Sequence, residues 1–173
     1  MSNFKSRGFY IKFYSFLPII VLFISVLNEF DLNYLKLEYF SFNFPFILIF
    51  YWSLRRSESL GYGSIFMAGL INDVVLGFPI GISGLTYLMV CGFSAYLKNI
   101  TLRPSIVNDW LFFLFTILVV TSINYSLLIL VFSLEFNYYE ISGNIFFTFM
   151  LYYVFAYIFD FYDRLVFRSR RND

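Results

Sequence analysis

Apolar positions along this chain gather into six runs, at 9–28, 39–54, 61–77, 81–97, 110–134 and 145–161, separated by short polar gaps. About 20 helical residues cover the ~30 Å hydrocarbon core of a bilayer, so the first run is long enough to span it. Pro18 is placed to kink that run, which a packed membrane helix tolerates. A short basic segment precedes it, as in a signal peptide. No small-x-small cleavage site follows, which favours an uncleaved anchor. The second run is the least regular. From Pro45 to Leu54 it would be only about 15 Å of helix, and extension back to Tyr39 brings it to about 24 Å, workable with local thinning of the bilayer. An extended or interfacial lead-in over 31–44 is the alternative. Runs three and four predict a tight hairpin, because Gly77 and Gly81 flank the turn Phe78-Pro79-Ile80. Run five is interrupted by Thr121, Ser122, Asn124 and Ser126, and run six ends in Asp160, Asp163, Arg164 and a basic tail.

Charge orients these runs. Eleven of the twelve Lys and Arg residues fall in alternate gaps: Lys5, Arg7 and Lys12; Arg55 and Arg56; Lys98 and Arg103; Arg164, Arg168, Arg170 and Arg171. The intervening gaps carry Lys36 with Glu29, Asp31, Glu38, Glu135 and Glu140. Short cytoplasmic loops retain Lys and Arg, so the alternation predicts six crossings with both termini in the cytoplasm. It also argues that the second run crosses, since otherwise every later loop would invert its sign. The expected fold is an all-α polytopic membrane protein, with residues 1–173 forming a single integral membrane domain.

Composition agrees and narrows the chemistry. Hydrophobic residues make up 60% of the chain and charged residues 13%, more apolar side chain than one soluble core of this size would hide. Codon bias is the simplest source of the 26 Phe and 15 Tyr, with aromatic belts at the interfaces accounting for part. The single cysteine, Cys91, excludes an internal disulfide framework. With no histidine, the commonest general base and metal ligand is missing. No Gly-rich phosphate loop, cysteine pair or facing carboxylate pair suggests catalysis, so no catalytic, cofactor or metal residue is assigned and a non-enzyme is expected.

Asp73 stands out as a carboxylate inside the third run, where a charge costs roughly 2.5–3.5 kcal/mol on insertion scales, less near a helix end. Gly69, Asp73 and Gly77 are spaced by four and share one helix face. Such a small-residue face suits close helix contact. Three roles remain open for Asp73: bonding to a neighbouring helix, docking a partner's membrane helix, or forming a ligand or proton site. Asn124 needs a partner and is expected to point into the bundle, where a small polar cavity is one reading. Asp160 and Arg164, at i and i+4, are expected to pair. Arg55, Arg56, Arg164, Arg168, Arg170 and Arg171 read as topology signals with attraction to anionic lipid.

The segment from Phe44 to Lys98 carries a resemblance. Pro45 leads the second run, Tyr51-Trp52 lies near its cytoplasmic end, and Gly69-Leu70-x-x-Asp73 is followed by Gly77-x-Pro79-x-Gly81. This order and spacing resembles the rod shape-determining protein MreD family, over about one third of the chain. The resemblance implies an S-component-like six-helix bundle in the bacterial inner membrane. It also implies a scaffold without a reaction of its own, acting in cell elongation with an MreC-type periplasmic scaffold, an MreB-type filament and peptidoglycan synthases. The residues it carries over as partner-interaction candidates are Trp52, Gly69, Asp73, Gly77, Pro79 and Gly81. Nucleic acid is not expected as a partner, no cofactor is implied, and self-association is left open. The alternative is the substrate-binding S component of an energy-coupling-factor vitamin transporter. Against it, the first run has no Ala-x-x-x-Ala pattern, and the outward loops hold no evident cluster of polar and aromatic ligand contacts.

Overall fold

The computed structural model describes residues 16–27, 41–100, 105–133 and 137–167, apart from the side chains of 57–59 and 165–167. Among these residues the fold is entirely helical. Helix α1 spans Phe16–Leu27, α2 Phe44–Leu60, α3 Tyr62–Leu76, α4 Ile82–Ile100, α5 Ile106–Phe132 and α6 Tyr138–Phe167. The first residues of run one, the lead-in over 31–40, and Arg103, Arg168, Arg170 and Arg171 lie outside the described residues.

Helix α2 is the core of the bundle. Every residue from Phe44 to Leu54 is buried, as expected of a helix that is apolar all round. It packs against α3, α4 and α6. Its start is set locally: the Asn43 side chain accepts from the Phe46 amide at 3.2 Å, and Pro45 sits in the first turn, where a missing N–H costs nothing. The expected start at 39 therefore moves to Phe44. At the other end the helix continues past the expected stop at 54, with a break at Arg56 (φ −146°, ψ 75°). Core enclosure accounts for the uniform apolarity of this short run.

An aromatic layer joins α2, α5 and α6. Phe50 meets Phe113 at 5.1 Å and Tyr152 at 5.7 Å between ring centroids, and Phe113 stacks on Tyr152 at 4.3 Å. Trp110 stacks on Phe149 and donates its indole N–H to the Phe149 carbonyl at 2.9 Å, fixing α5 to α6. Leu22 and Val26 of α1 complete the core.

Two helices, α5 and α6, are long and apolar enough to cross a membrane. Only 28% and 17% of their most apolar 18-residue windows are buried within the chain, so they are not enclosed core helices. Their outward faces carry Phe112, Phe115, Leu118 and Leu130 on α5 and Phe146, Tyr153, Tyr157 and Phe161 on α6. A soluble monomer rarely leaves so broad an apolar surface uncovered. Both helices start ahead of their expected bounds; α6 also runs past 161, while α5 ends at Phe132, short of 134. Helix α6 begins about two turns before 145 because Asn137 accepts from the Tyr139 amide at 3.1 Å and donates to Glu140 Oε1 at 3.1 Å, an N-terminal box written in polar residues outside the apolar run.

The helices alternate in direction. At one end, here the upper, α2, α4 and α6 begin; at the lower end α2, α4 and α6 finish and α5 starts. All four Lys and Arg among the residues with described side chains, Arg55, Arg56, Lys98 and Arg164, lie at the lower end.

Candidate functional site

Helices α3 and α4 meet through the motif that carries most of the sequence candidates. Gly69 faces Gly84: a Cβ on Gly69 would lie 2.5 Å from the Gly84 amide nitrogen and 2.8 Å from the Ser83 carbonyl carbon. The two backbones therefore touch without intervening side chains. One turn later Asp73 is fully buried. Its carboxylate accepts from the Gly81 amide at 2.7 Å (Oδ2) and from the Ser83 amide at 2.8 Å (Oδ1). Asp73 thus satisfies amides that the start of α4 leaves without intrahelical partners, from the preceding helix. Gly77 closes α3 in the left-handed conformation (φ 67°), and its N–H and that of Phe78 both bond the Asp73 carbonyl. Gly81 adopts φ 105°, open only to glycine at low cost. Pro79 supplies the carbonyl that accepts from the Ile82 amide. Gly69, Asp73, Gly77, Pro79 and Gly81 together make one locked hairpin.

This revises the docking face expected along Gly69 and Asp73: the chain's own α4 occupies it. Trp52, also a partner candidate, is buried and belongs to a different part of the molecule, packed by Phe159 (6.1 Å) and Tyr162 (6.2 Å) of α6. Of the six candidates only the turn residues Gly77, Pro79 and Gly81 retain appreciable exposure.

The basic residues are likewise drawn inward. Arg55 pairs with Asp109 of α5 at 3.2 Å, and Arg56 with Asp163 of α6 at 3.1 Å. The attraction to lipid expected of both arginines is limited by these pairings, since their side chains are only 25% and 29% exposed. Arg164 pairs with Asp160 at 2.6 Å and stays 71% exposed. The break in α2 at Arg56 accompanies the divergence of its two arginines toward separate helices. Neither Asp109 nor its pairing has a local signature in the sequence, since its partner stands 54 positions away. Because the Asp109 side chain is 5% exposed, Arg55→Met should strand a buried carboxylate and cost roughly 2–4 kcal/mol. The double variant Arg55→Met/Asp109→Leu should recover much of that loss. Unfolding in detergent measures both, and strictly additive effects would show the pair to be uncoupled.

At the upper end all six helices contribute to a cavity of about 390 Å³. Its polar lining includes Asn72, Ser83, Thr86, Asn124 and Asn144, and its aromatic walls include Phe44, Phe78 and Tyr87. No charged side chain among the described residues lines it. Asn72 donates to Ser83 Oγ and Asn144 donates to Ser41 Oγ, both at 3.0 Å. Asn124 Oδ1 is buried with no hydrogen-bond partner. The sequence pointed Asn124 into the bundle but found no polar and aromatic cluster in the loops. The cluster exists in the helix ends, dispersed over six segments. Among the described residues, no group of three His, Cys, Asp or Glu side chains could hold a metal ion.

Comparisons with protein-family models, with curated proteins and with solved structures find no match to this chain.

Proposed function

We propose that this chain is a non-enzymatic, multi-pass scaffold of the bacterial inner membrane. In this reading all six helices cross the bilayer, both termini are cytoplasmic, and the lower end of the bundle faces the cytoplasm. The observation that carries it is the outward apolar surface of α5 and α6, whose most apolar windows are 28% and 17% buried. Lipid, or the membrane helix of a partner, is the natural cover for such a surface. The collection of Arg55, Arg56, Lys98 and Arg164 at the lower end supports the orientation.

The resemblance of the sequence from Phe44 to Lys98 to the MreD family supports a place in the cell-elongation machinery, with an MreC-type partner in direct contact and MreB-type filaments and wall synthases in the same assembly. Gly69 and Asp73 are engaged by the chain's own α4, which favours docking of a partner helix on the outer faces of the bundle. Purification of the tagged protein from its native membrane in mild detergent, followed by mass spectrometry, tests the reading. A single-pass periplasmic coiled-coil protein with wall synthases is expected. Recovery of a cytoplasmic ATPase pair with another polytopic subunit would overturn it in favour of vitamin uptake.

A further inference from the structure

We infer that the upper-end cavity is a binding site for an uncharged small molecule that presents N–H or O–H donors around an apolar ring. This goes beyond the scaffold reading and does not depend on it. Space comes first. A volume of about 390 Å³ falls within the range of small-molecule sites, roughly 300–1,000 Å³.

The lining then defines the chemistry. Asn124 Oδ1 is buried without a partner, a state that costs free energy unless something donates to it. Asn72, also in the lining, donates an amide N–H to Ser83 Oγ, and its side chain carries an acceptor oxygen as well. The unpartnered Asn124 oxygen calls for a donor on the occupant.

Charge is selected against. With no charged side chain in the lining among the described residues, an ionic occupant would lose its hydration with none of them to replace it. Asp73, next to the lining residue Asn72, has each carboxylate oxygen engaged by a backbone amide of the α4 start. Aromatic walls from Phe44, Phe78 and Tyr87 offer a ring flat apolar surface, while the amides and hydroxyls meet its rim. The remaining polar side chains are braced. Asn144 is held by Ser41 and by the hydroxyl of Thr148, and Thr86 bonds the Ile82 carbonyl at 2.7 Å. The site is therefore pre-formed by the fold.

The test uses the full chain in lipid nanodiscs, with nicotinamide, uridine and methyl α-glucoside as neutral probes and nicotinate as the charged counterpart of the first. At saturation at least one neutral probe should raise the unfolding temperature by about 5 °C or more, and nicotinate should not. Asn124→Leu should abolish the shift without lowering the unfolding temperature of the probe-free protein, because the buried Asn124 Oδ1 that it removes has no hydrogen-bond partner among the described residues. Asn72→Leu provides a second reading of the same site. Native mass spectrometry of protein taken directly from its membrane should release a neutral compound from the wild type and not from Asn124→Leu. Equal shifts with nicotinate and nicotinamide would overturn the inference. So would shifts that survive both substitutions, or the finding that no probe shifts the transition and only lipid, detergent or water accompanies the wild type.

Discussion

Gly69→Ala should destabilise the protein by about 3 kcal/mol, the upper end of the usual cost of overpacking, and lower its folded-to-unfolded ratio roughly a hundred-fold. The reason is what the new methyl group would meet. Most overpacked sites yield because a neighbouring side chain changes rotamer. Here the neighbour is the Gly84 backbone, with the amide nitrogen 2.5 Å from the added carbon. Relief requires moving α4 away from α3, which also draws the Gly81 and Ser83 amides off the Asp73 carboxylate. Gly92→Ala on α4 is the matched control. A Cβ there meets nothing within 4 Å, so the gain in helix propensity, up to about 1 kcal/mol, should leave stability unchanged or raised. Unfolding of both variants in the same detergent checks the contrast. Equal behaviour of the two would mean that the α3–α4 contact is looser than described.

Asp73→Ala should cost a similar amount, roughly 2–5 kcal/mol, through a different mechanism. It orphans two backbone N–H groups in a part-buried turn, each worth about 1–3 kcal/mol when left unsatisfied. Asp73→Asn keeps one acceptor oxygen but sets an NH₂ against the second amide, so an intermediate loss is expected. Folded yield and unfolding midpoint are the quantities to compare across Asp, Asn and Ala. The series also separates the two leading roles of this residue. A hairpin lock predicts that stability falls first and partner association follows in proportion. Asp73→Asn protein as stable and abundant as the wild type, yet unable to retain its partner, would return Asp73 to the docking role.

Local chemistry was legible along the chain. Glycines bracketing Pro79 announced the α3–α4 turn, and positions 69, 73 and 77 were assigned to one face because a helix repeats that way. Asp160 and Arg164 could be paired for the same reason. Boundaries set by polar caps were less visible in a reading based on apolar runs. Asn43 with Pro45 starts α2 inside the apolar stretch, and Asn137 with Glu140 starts α6 ahead of it. Both are cap patterns that a search for side-chain acceptors immediately ahead of a helix would find.

By itself the sequence determined the helical character of the chain, its most evident turn and the chemical types available to it: many apolar surfaces, few charges, no histidine. These follow from composition and from short-range periodicity, which act between residues a few positions apart. The fold decided which side chains meet. It turned Asp73 onto α4, set Arg55 against Asp109 across 54 positions, and joined the Asn43 amide to the Thr148 hydroxyl across 105. It also gathered Asn72, Asn124 and Asn144 around one cavity. A helical periodicity says which face a residue occupies on its own helix. What that face touches depends on how helices pack, and packing is a property of all six helices together.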